Sequence, residues 1–263
     1  MPPIYNTIGT HYNSTRQADA YLTQRLYALL QPAPGKTYLD IGCGTGNYTI
    51  ALSKMGVNFT GIEPAENMLS IARCNSQQVN WVFGSAEDIP ANNDTFDGAI
   101  ATLTIHHWAD MEKAMHELYR VCKNQTKIVF FTATPVQMEG YWLNYYFPKM
   151  LALSAEQMPS YEKVKQSLEK AGFEITEIEK YDIQDDLQDL FLYSGKNKPE
   201  IYLDAAVRNG ISSFAALAHA EEVMAGLARL TRDIENGEFN AVKRAYDNDK
   251  GDYLFIVAKK QLT

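Results

Sequence analysis

Asp40-Ile41-Gly42-Cys43-Gly44-Thr45-Gly46 is the stretch whose reading decides the fold. A short apolar run, 36–39, precedes it and reads as a buried strand; a helical stretch, 47–55, follows it. Strand, glycine turn, helix lets backbone approach a ligand closely, because glycine tolerates positive φ and carries no Cβ. The helix beyond the turn adds unpaired N–H groups and the positive end of a dipole. The glycine spacing is G-x-G-x-G, whereas the dinucleotide fingerprint sets its third glycine one place later, at the position of Asn47. A nicotinamide dinucleotide is therefore disfavoured.

A second apolar strand, 58–62, ends on Glu63, seventeen residues past Gly46. An acid at that strand tip can accept both hydroxyl protons of a ribose diol, and as a tip residue Glu63 is expected outside the core. Leu39-Asp-Ile-Gly-Cys-Gly-Thr-Gly-Asn-Tyr48, followed by Gly61-Ile-Glu-Pro-Ala-Glu-Asn-Met-Leu69, resembles motif I and its continuation in class I S-adenosylmethionine (SAM) methyltransferases. The wider pattern is similar to the small-molecule branch that includes the ubiquinone and menaquinone methyltransferases. The resemblance covers 36–134 well and 160–183 and 252–260 in outline.

The order of elements supports a Rossmann-like α/β fold. An i, i+4, i+7, i+8 stripe of Leu22, Leu26, Leu29 and Leu30 predicts a helix over 18–30, ended by Pro32 and Pro34-Gly35. Strands are expected at 36–41, 58–63, 80–84, 96–102, 126–133, 173–181 and 253–258, and helices at 46–55, 65–73, 110–123 and 160–171. Strands alternating with helices imply a seven-stranded, mostly parallel sheet with helices on both faces. Ligands in such sheets sit beyond the carboxyl ends of the strands. The chain is expected to be one SAM-binding domain, with an N-terminal arm 1–17, an aromatic segment 136–158 and a mostly helical insertion 185–248 whose clearest helix is 215–230.

Composition bounds the function. Hydrophobic content of 46% and charged content of 21% are ordinary for a globular protein, and 263 residues bury a substantial core. Net charge is −8, and no basic cluster offers a nucleic-acid footprint. Cys43, Cys74 and Cys122 are widely spaced and form neither a disulfide framework nor a metal-ligand pattern, which suits the cytoplasm. The start lacks the pattern of a signal peptide, and no apolar run is long enough for a membrane span.

The resemblance implies roles for individual residues. Asp40 would lie near the methionine end of SAM and order the loop of Gly42, Cys43, Gly44 and Gly46, while Glu63 would take the ribose. Pro64 and Met68 would touch the adenine, although Met68 also reads as a core residue of an amphipathic helix. Relatives usually carry an aspartate for the adenine amino group where this chain has Ser85. Ser85 would be the weaker, neutral partner, with the Ala86 N–H near a ring nitrogen and Glu87 a substitute for the missing acid. Leu103 counts as a further cofactor contact. Thr102-Leu103-Thr104-Ile105-His106-His107-Trp108 follows the fourth strand, where the reaction centre should lie. His106 is the candidate base or pocket wall; the alternative is that the histidines cap a helix and fill the strand-end layer, with His107 packed beneath the loop. No acid or histidine stands at ligand spacing around them, so no metal is expected.

Tyr5, His11, Tyr12 and Arg16 make an aromatic, polar arm that would act as a lid, Tyr12 over the cofactor and Arg16 near its carboxylate; a frayed terminus is the alternative. Tyr141-Trp-Leu-Asn-Tyr-Tyr-Phe147 reads as a cap facing the transferable methyl, or as core packing. The expected chemistry is direct SN2 transfer from SAM, leaving S-adenosylhomocysteine (SAH), to an O, N or C nucleophile on a small molecule. Rivals are a cyclopropane-synthase or aminopropyl-type enzyme of the same fold and a non-catalytic SAM-binding subunit.

Overall fold

The structure is a computed structural model that describes residues 15–262. Asp19 caps helix α1 (Ala20–Leu30) by accepting from the Leu22 N–H, and Leu22, Leu26, Leu29 and Leu30 are all buried. Then follow β1 (Thr37–Ile41), α2 (Asn47–Lys54), β2 (Asn58–Glu63), α3 (Glu66–Asn75), β3 (Asn80–Phe83), β4 (Phe96–Thr102), α4 (Met111–Val121) and β5 (Cys122–Thr132). Strand β5 leaves α4 directly, four residues earlier than the 126 expected from sequence. Beyond it lie the short α5 (Pro135–Met138) and α6 (Leu143–Tyr146), then α7 (Pro148–Gln157) and α8 (Tyr161–Ala171). Strand β6 (Phe173–Tyr181) precedes the insertion and β7 (Tyr253–Lys260) follows it.

The seven strands run in the order β3-β2-β1-β4-β5-β7-β6. Strands β1 to β5 pair in parallel, and β7 lies antiparallel between β5 and β6. Alternate strand residues feed two separate cores. Leu39, Ala99, Ala101, Ile128 and Phe130 face α4 and α8, whereas Tyr38, Phe59, Ile100, Val129 and Phe131 face α1, α2 and the later segments. Strand order reverses between β1 and β4, so their terminal loops lie side by side. That is the topological switch point where open α/β sheets take ligands.

The insertion is helical but not where periodicity alone put its main helix. It carries α9 (Ala205–Asn209), α10 (Ala220–Glu235) and α11 (Phe239–Ala245); residues 213–217 form a separate wide turn, and the chain is extended at Ala218 and His219. The helix expected over 215–230 thus starts five residues late. Ser213 and Phe214 are drawn into the core, where Phe147 packs edge-on to Phe214 with ring centres 5.0 Å apart. The aromatic segment meets the insertion in the same way. Trp142 packs edge-on to Tyr202 and Phe239 at 5.5 and 4.9 Å, and Tyr141 stacks on Tyr193 at 3.9 Å. Trp142, Tyr146 and Phe147 are therefore core side chains, as the core-packing alternative has it, while Tyr141 lines the smaller of two cavities.

Candidate active site

Three glycines shape the loop after β1, each with positive φ, and for different reasons. A Cβ on Gly42 would lie 2.0 Å from Thr104 Oγ1, because the neighbouring β4 loop presses against it. On Gly46 it would meet the Trp81 ring at 2.3 Å. On Gly44 it would meet nothing within 4 Å. The outer glycines are required by packing, and the middle one borders open space. The Gly42 and Cys43 N–H groups both donate to Ile62 O, at 2.8 and 3.0 Å, which holds the loop against the tip of β2.

Glu63 closes this arrangement. Its Oε2 accepts from the Gly44 N–H and its Oε1 from the Ala65 N–H, both at 2.9 Å. It is 7% exposed, which corrects the expectation that a strand-tip acid lies outside the core. Burial raises its pKa, opposed by those two N–H donors. Each carboxylate oxygen still has a second lone pair, so a ribose diol can be accepted without releasing the loop. Asp40 is buried below it and accepts from the Thr49 hydroxyl at 2.5 Å. Burial pushes its pKa up to about 7, against the Thr49 hydrogen bond and with a further push from the charge of Glu63.

A cavity of about 480 Å³ opens above these residues, within the usual range for small-molecule sites. Asp40, Gly42, Cys43, Gly44, Glu63, Pro64, Met68, Ser85, Ala86, Glu87, Leu103 and Arg16 all line it. Of the residues singled out for the cofactor, Gly46 stands behind the loop against Trp81, and Tyr12, with Tyr5 and His11, lies outside the described residues. One oxygen of Glu87 is committed: its Oε1 accepts from the Ala109 and Asp110 N–H groups at 2.7 and 3.3 Å, ahead of α4. That oxygen braces the turn, while Glu87 lines the cavity beside Ser85. Thr45 and Thr102 also line the cavity, and the Oγ1 of each is buried without a partner, a sign that the space takes a polar ligand.

At the β4 end of the cavity, sequence reasoning missed Asp189. Arg16 Nε donates to its Oδ1 at 2.5 Å, Arg16 Nη2 to its Oδ2 at 3.3 Å, and the Tyr48 hydroxyl to Oδ2 at 3.1 Å. Asp189 is 2% exposed. The Asn47 amide donates to Arg16 O at 2.9 Å, Leu190 N–H to Thr15 O at 3.0 Å and Gln188 N–H to Asp19 Oδ2 at 3.1 Å. The arm and the first turn of the insertion are thus stitched together over the helix that follows the glycine loop. The only local hint was an acid inside the apolar run Leu187-Gln-Asp-Leu-Phe-Leu192, and its partner is 173 residues away.

The two histidine rings touch, their centres 3.9 Å apart, yet they line different cavities. His107 lines the larger cavity, which corrects the expectation that it packs beneath the loop; His106 lines a second, smaller cavity of about 70 Å³. Arg16 and Leu103 line both, so the cavities adjoin at the tip of β4. Leu103 holds φ at 52°, which turns the chain between them. Burial holds the His106 pKa well below the usual histidine value, with the neighbouring His107 and Arg16 charges acting in the same direction. Its Nδ1 is buried without a hydrogen-bond partner. Among the described residues no group of three or more His, Cys, Asp or Glu side chains is arranged to hold a metal ion, and no helix is long and apolar enough to cross a membrane.

Comparison with known proteins gives a consistent picture. Residues 39–130 match the family model described as a methyltransferase domain. A demethylmenaquinone methyltransferase of Oceanobacillus iheyensis is 30% identical over 175 residues, which cover 56% of this chain and 73% of that one. A crystal structure from Anabaena variabilis, described as a methyltransferase from an antibiotic biosynthesis pathway, superposes with a TM-score of 0.83 at 33% identity, covering 92% of this chain and 98% of that one. The [4+2]-cyclase SpnF superposes at 0.57 with 18% identity over 92% of this chain and 81% of its own, a likeness of fold alone.

Proposed function

The chain belongs to the SAM-dependent methyltransferases, and from that premise we propose that SAM occupies the larger cavity and that a small-molecule acceptor enters the smaller one. The observation that carries this reading is the junction of the two cavities at Leu103 and Arg16, beyond the tip of β4. SAM, when bound, supplies a methyl group on a sulfonium. Glu63 holds the ribose hydroxyls while keeping Gly44 in place, and the open side of Gly44 leaves room for the ligand. Pro64, Met68, Ser85 and Ala86 form the adenine end. Arg16, Asp189, Asn47 and Tyr48 form the opposite end, where a cation and an anion side by side suit the zwitterionic amino acid.

Rate enhancement then comes from position. Leu103 and the β4 loop fix donor and acceptor on either side of one junction, and the 187–192 segment excludes water from it. No side-chain carboxylate among the described residues hydrogen-bonds His106, so transfer is proposed to depend on alignment more than on a strong general base. The net charge of −8 supports a small-molecule acceptor over nucleic acid, and the unpaired spacing of the three cysteines supports a cytoplasmic setting.

Calorimetry tests the first step: SAM and SAH should bind and NAD should not. Transfer of a labelled methyl group to a small-molecule library, demethylmenaquinone included, tests the second. Binding of NAD in place of SAM would overturn the reading, and tight SAM binding with no turnover on any acceptor would favour a non-catalytic subunit.

A further inference from the structure

The smaller cavity is built almost wholly from parts of the chain outside the residues 39–130 that match the family model. Met138, Tyr141, Ser154 and Met158 come from the aromatic segment, and Phe191, Leu192, Ile211 and Ser213 from the insertion. These are the segments that have no motif-level counterpart in the family pattern. A cavity assembled from them beside a common donor site is where acceptor choice is made.

Its chemistry is narrow. None of its lining residues among those described is a carboxylate. Its one cation among the described residues is Arg16, and the buried Asp189 offsets that charge. Most of its hydroxyls are committed within the protein: Ser154 Oγ is 2.7 Å from Ser213 Oγ, the Tyr141 hydroxyl donates to Asp252 O, and the Tyr253 hydroxyl accepts from the Tyr193 N–H at 3.3 Å. His106 Nδ1 is left as a buried polar atom with no partner. An ammonium entering here would lose its hydration with no carboxylate on the described lining to replace it, and a carboxylate or phosphate would meet only Arg16, already paired with Asp189. A neutral hydroxyl needs one hydrogen-bond partner, and the imidazole is one.

Resting on the methyltransferase reading above, we infer that this cavity is the acceptor subsite and that His106 binds the hydroxyl of an uncharged alcohol, phenol or enol, so that the atom methylated is oxygen. The volume of about 70 Å³, about half that of a cavity of roughly 150 Å³ that holds benzene, admits the reacting end of the acceptor and little more. The body of the molecule then extends past Gln157 and Ser212, which also line the cavity. The depressed pKa of His106 keeps the ring neutral and able to accept. In the transfer the hydroxyl oxygen forms its bond to the methyl carbon as the carbon–sulfur bond breaks and the sulfonium becomes a neutral thioether. The hydroxyl proton passes along the hydrogen bond to the imidazole and on to solvent, which balances the charge.

The test uses the SAH-loaded protein and fragments of matched size: phenol, benzyl alcohol, benzylammonium and benzoate, followed by NMR with 15N-labelled histidine. Phenol and benzyl alcohol should bind and shift the His106 imidazole nitrogen signals, and the two ions should bind at least about tenfold more weakly. His106→Leu should weaken the hydroxyl fragments by about tenfold with SAH affinity kept, and His106→Asn, which keeps a hydrogen-bonding atom, should recover part of that loss. If His106→Leu does not fold, the wild-type fragment series and His106→Asn still decide the matter. Equal or tighter binding of either ion, no binding of either hydroxyl fragment, or hydroxyl binding unchanged in both variants would overturn the inference. Failure of the wild-type protein to bind SAH would instead overturn the methyltransferase reading beneath it.

Discussion

Replacing Glu63 separates its two jobs, holding the loop and holding the ligand. In the ligand-free fold its carboxylate accepts from the Gly44 and Ala65 N–H groups, both at 2.9 Å. Hydrogen bonds to a charged group contribute roughly 1.5–3 kcal/mol each. The sum is not realised, because burial opposes the charge and raises the pKa of the group. Glu63→Ala should therefore cost about 2–4 kcal/mol, since the Ala65 N–H loses its partner at a fully buried position. At roughly 2–4 °C per kcal/mol for a chain near this size, the melting point should fall by about 5–15 °C. Glu63→Gln keeps one accepting oxygen and turns an NH2 toward the other N–H, so it should cost about 1–2 kcal/mol. Losing the charge-assisted bonds to the ribose should weaken SAH by roughly 10–150-fold in both variants. Denaturant unfolding without ligand and calorimetry with SAH measure the two effects separately. An unchanged SAH dissociation constant in folded Glu63→Gln would remove Glu63 from the ribose site, and unchanged stability in Glu63→Ala would refute its role in holding the loop.

Further substitutions test the surroundings. Asp40 has a folded pKa of about 7 against an unfolded value of 3.8, so the native state binds the extra proton between them and stability falls as pH rises through that window. Asp40→Asn should flatten that slope in unfolding curves collected across it, and parallel wild-type and variant curves would refute the assignment. Asp189→Asn should cost about 3 kcal/mol by leaving the Arg16 guanidinium without its buried counter-charge. In a double-mutant cycle with Arg16→Met the losses should be strongly non-additive, and simple additivity would show that the pair does not hold the arm to the insertion. Gly44→Ala should cost the fold only the roughly 1–2 kcal/mol of positive φ while abolishing tight SAH binding, whereas Gly42→Ala, set against Thr104, should cost more. Wild-type SAH affinity in Gly44→Ala would exclude the open side of that residue as the ligand's space.

What the sequence determined by itself was local in origin. The apolar strand runs, the helical stripes, the glycine turn and the strand-tip Glu63 are properties of neighbouring residues, and they yielded the seven strands, their flanking helices and most of one wall of the larger cavity. An apolar run marks a strand without any knowledge of what covers it, and three closely spaced glycines announce a tight turn wherever it lies. What only the tertiary structure decided depends on partners far apart in the chain. Asp189 gains its role from Arg16 and Tyr48, which lie 173 and 141 residues away. Glu87 is drawn to the backbone ahead of α4, Phe214 is drawn into the core at the point where periodicity predicted the main helix of the insertion, and Trp142 is buried by aromatic rings from 202 and 239. His106 and His107 are adjacent in sequence, yet the turn at Leu103 and the walls brought by two distant segments send them to different cavities. Local pattern sets which way a backbone can bend; the burial and pairing that fix a side chain's chemistry are supplied by residues that meet only when the whole chain has folded.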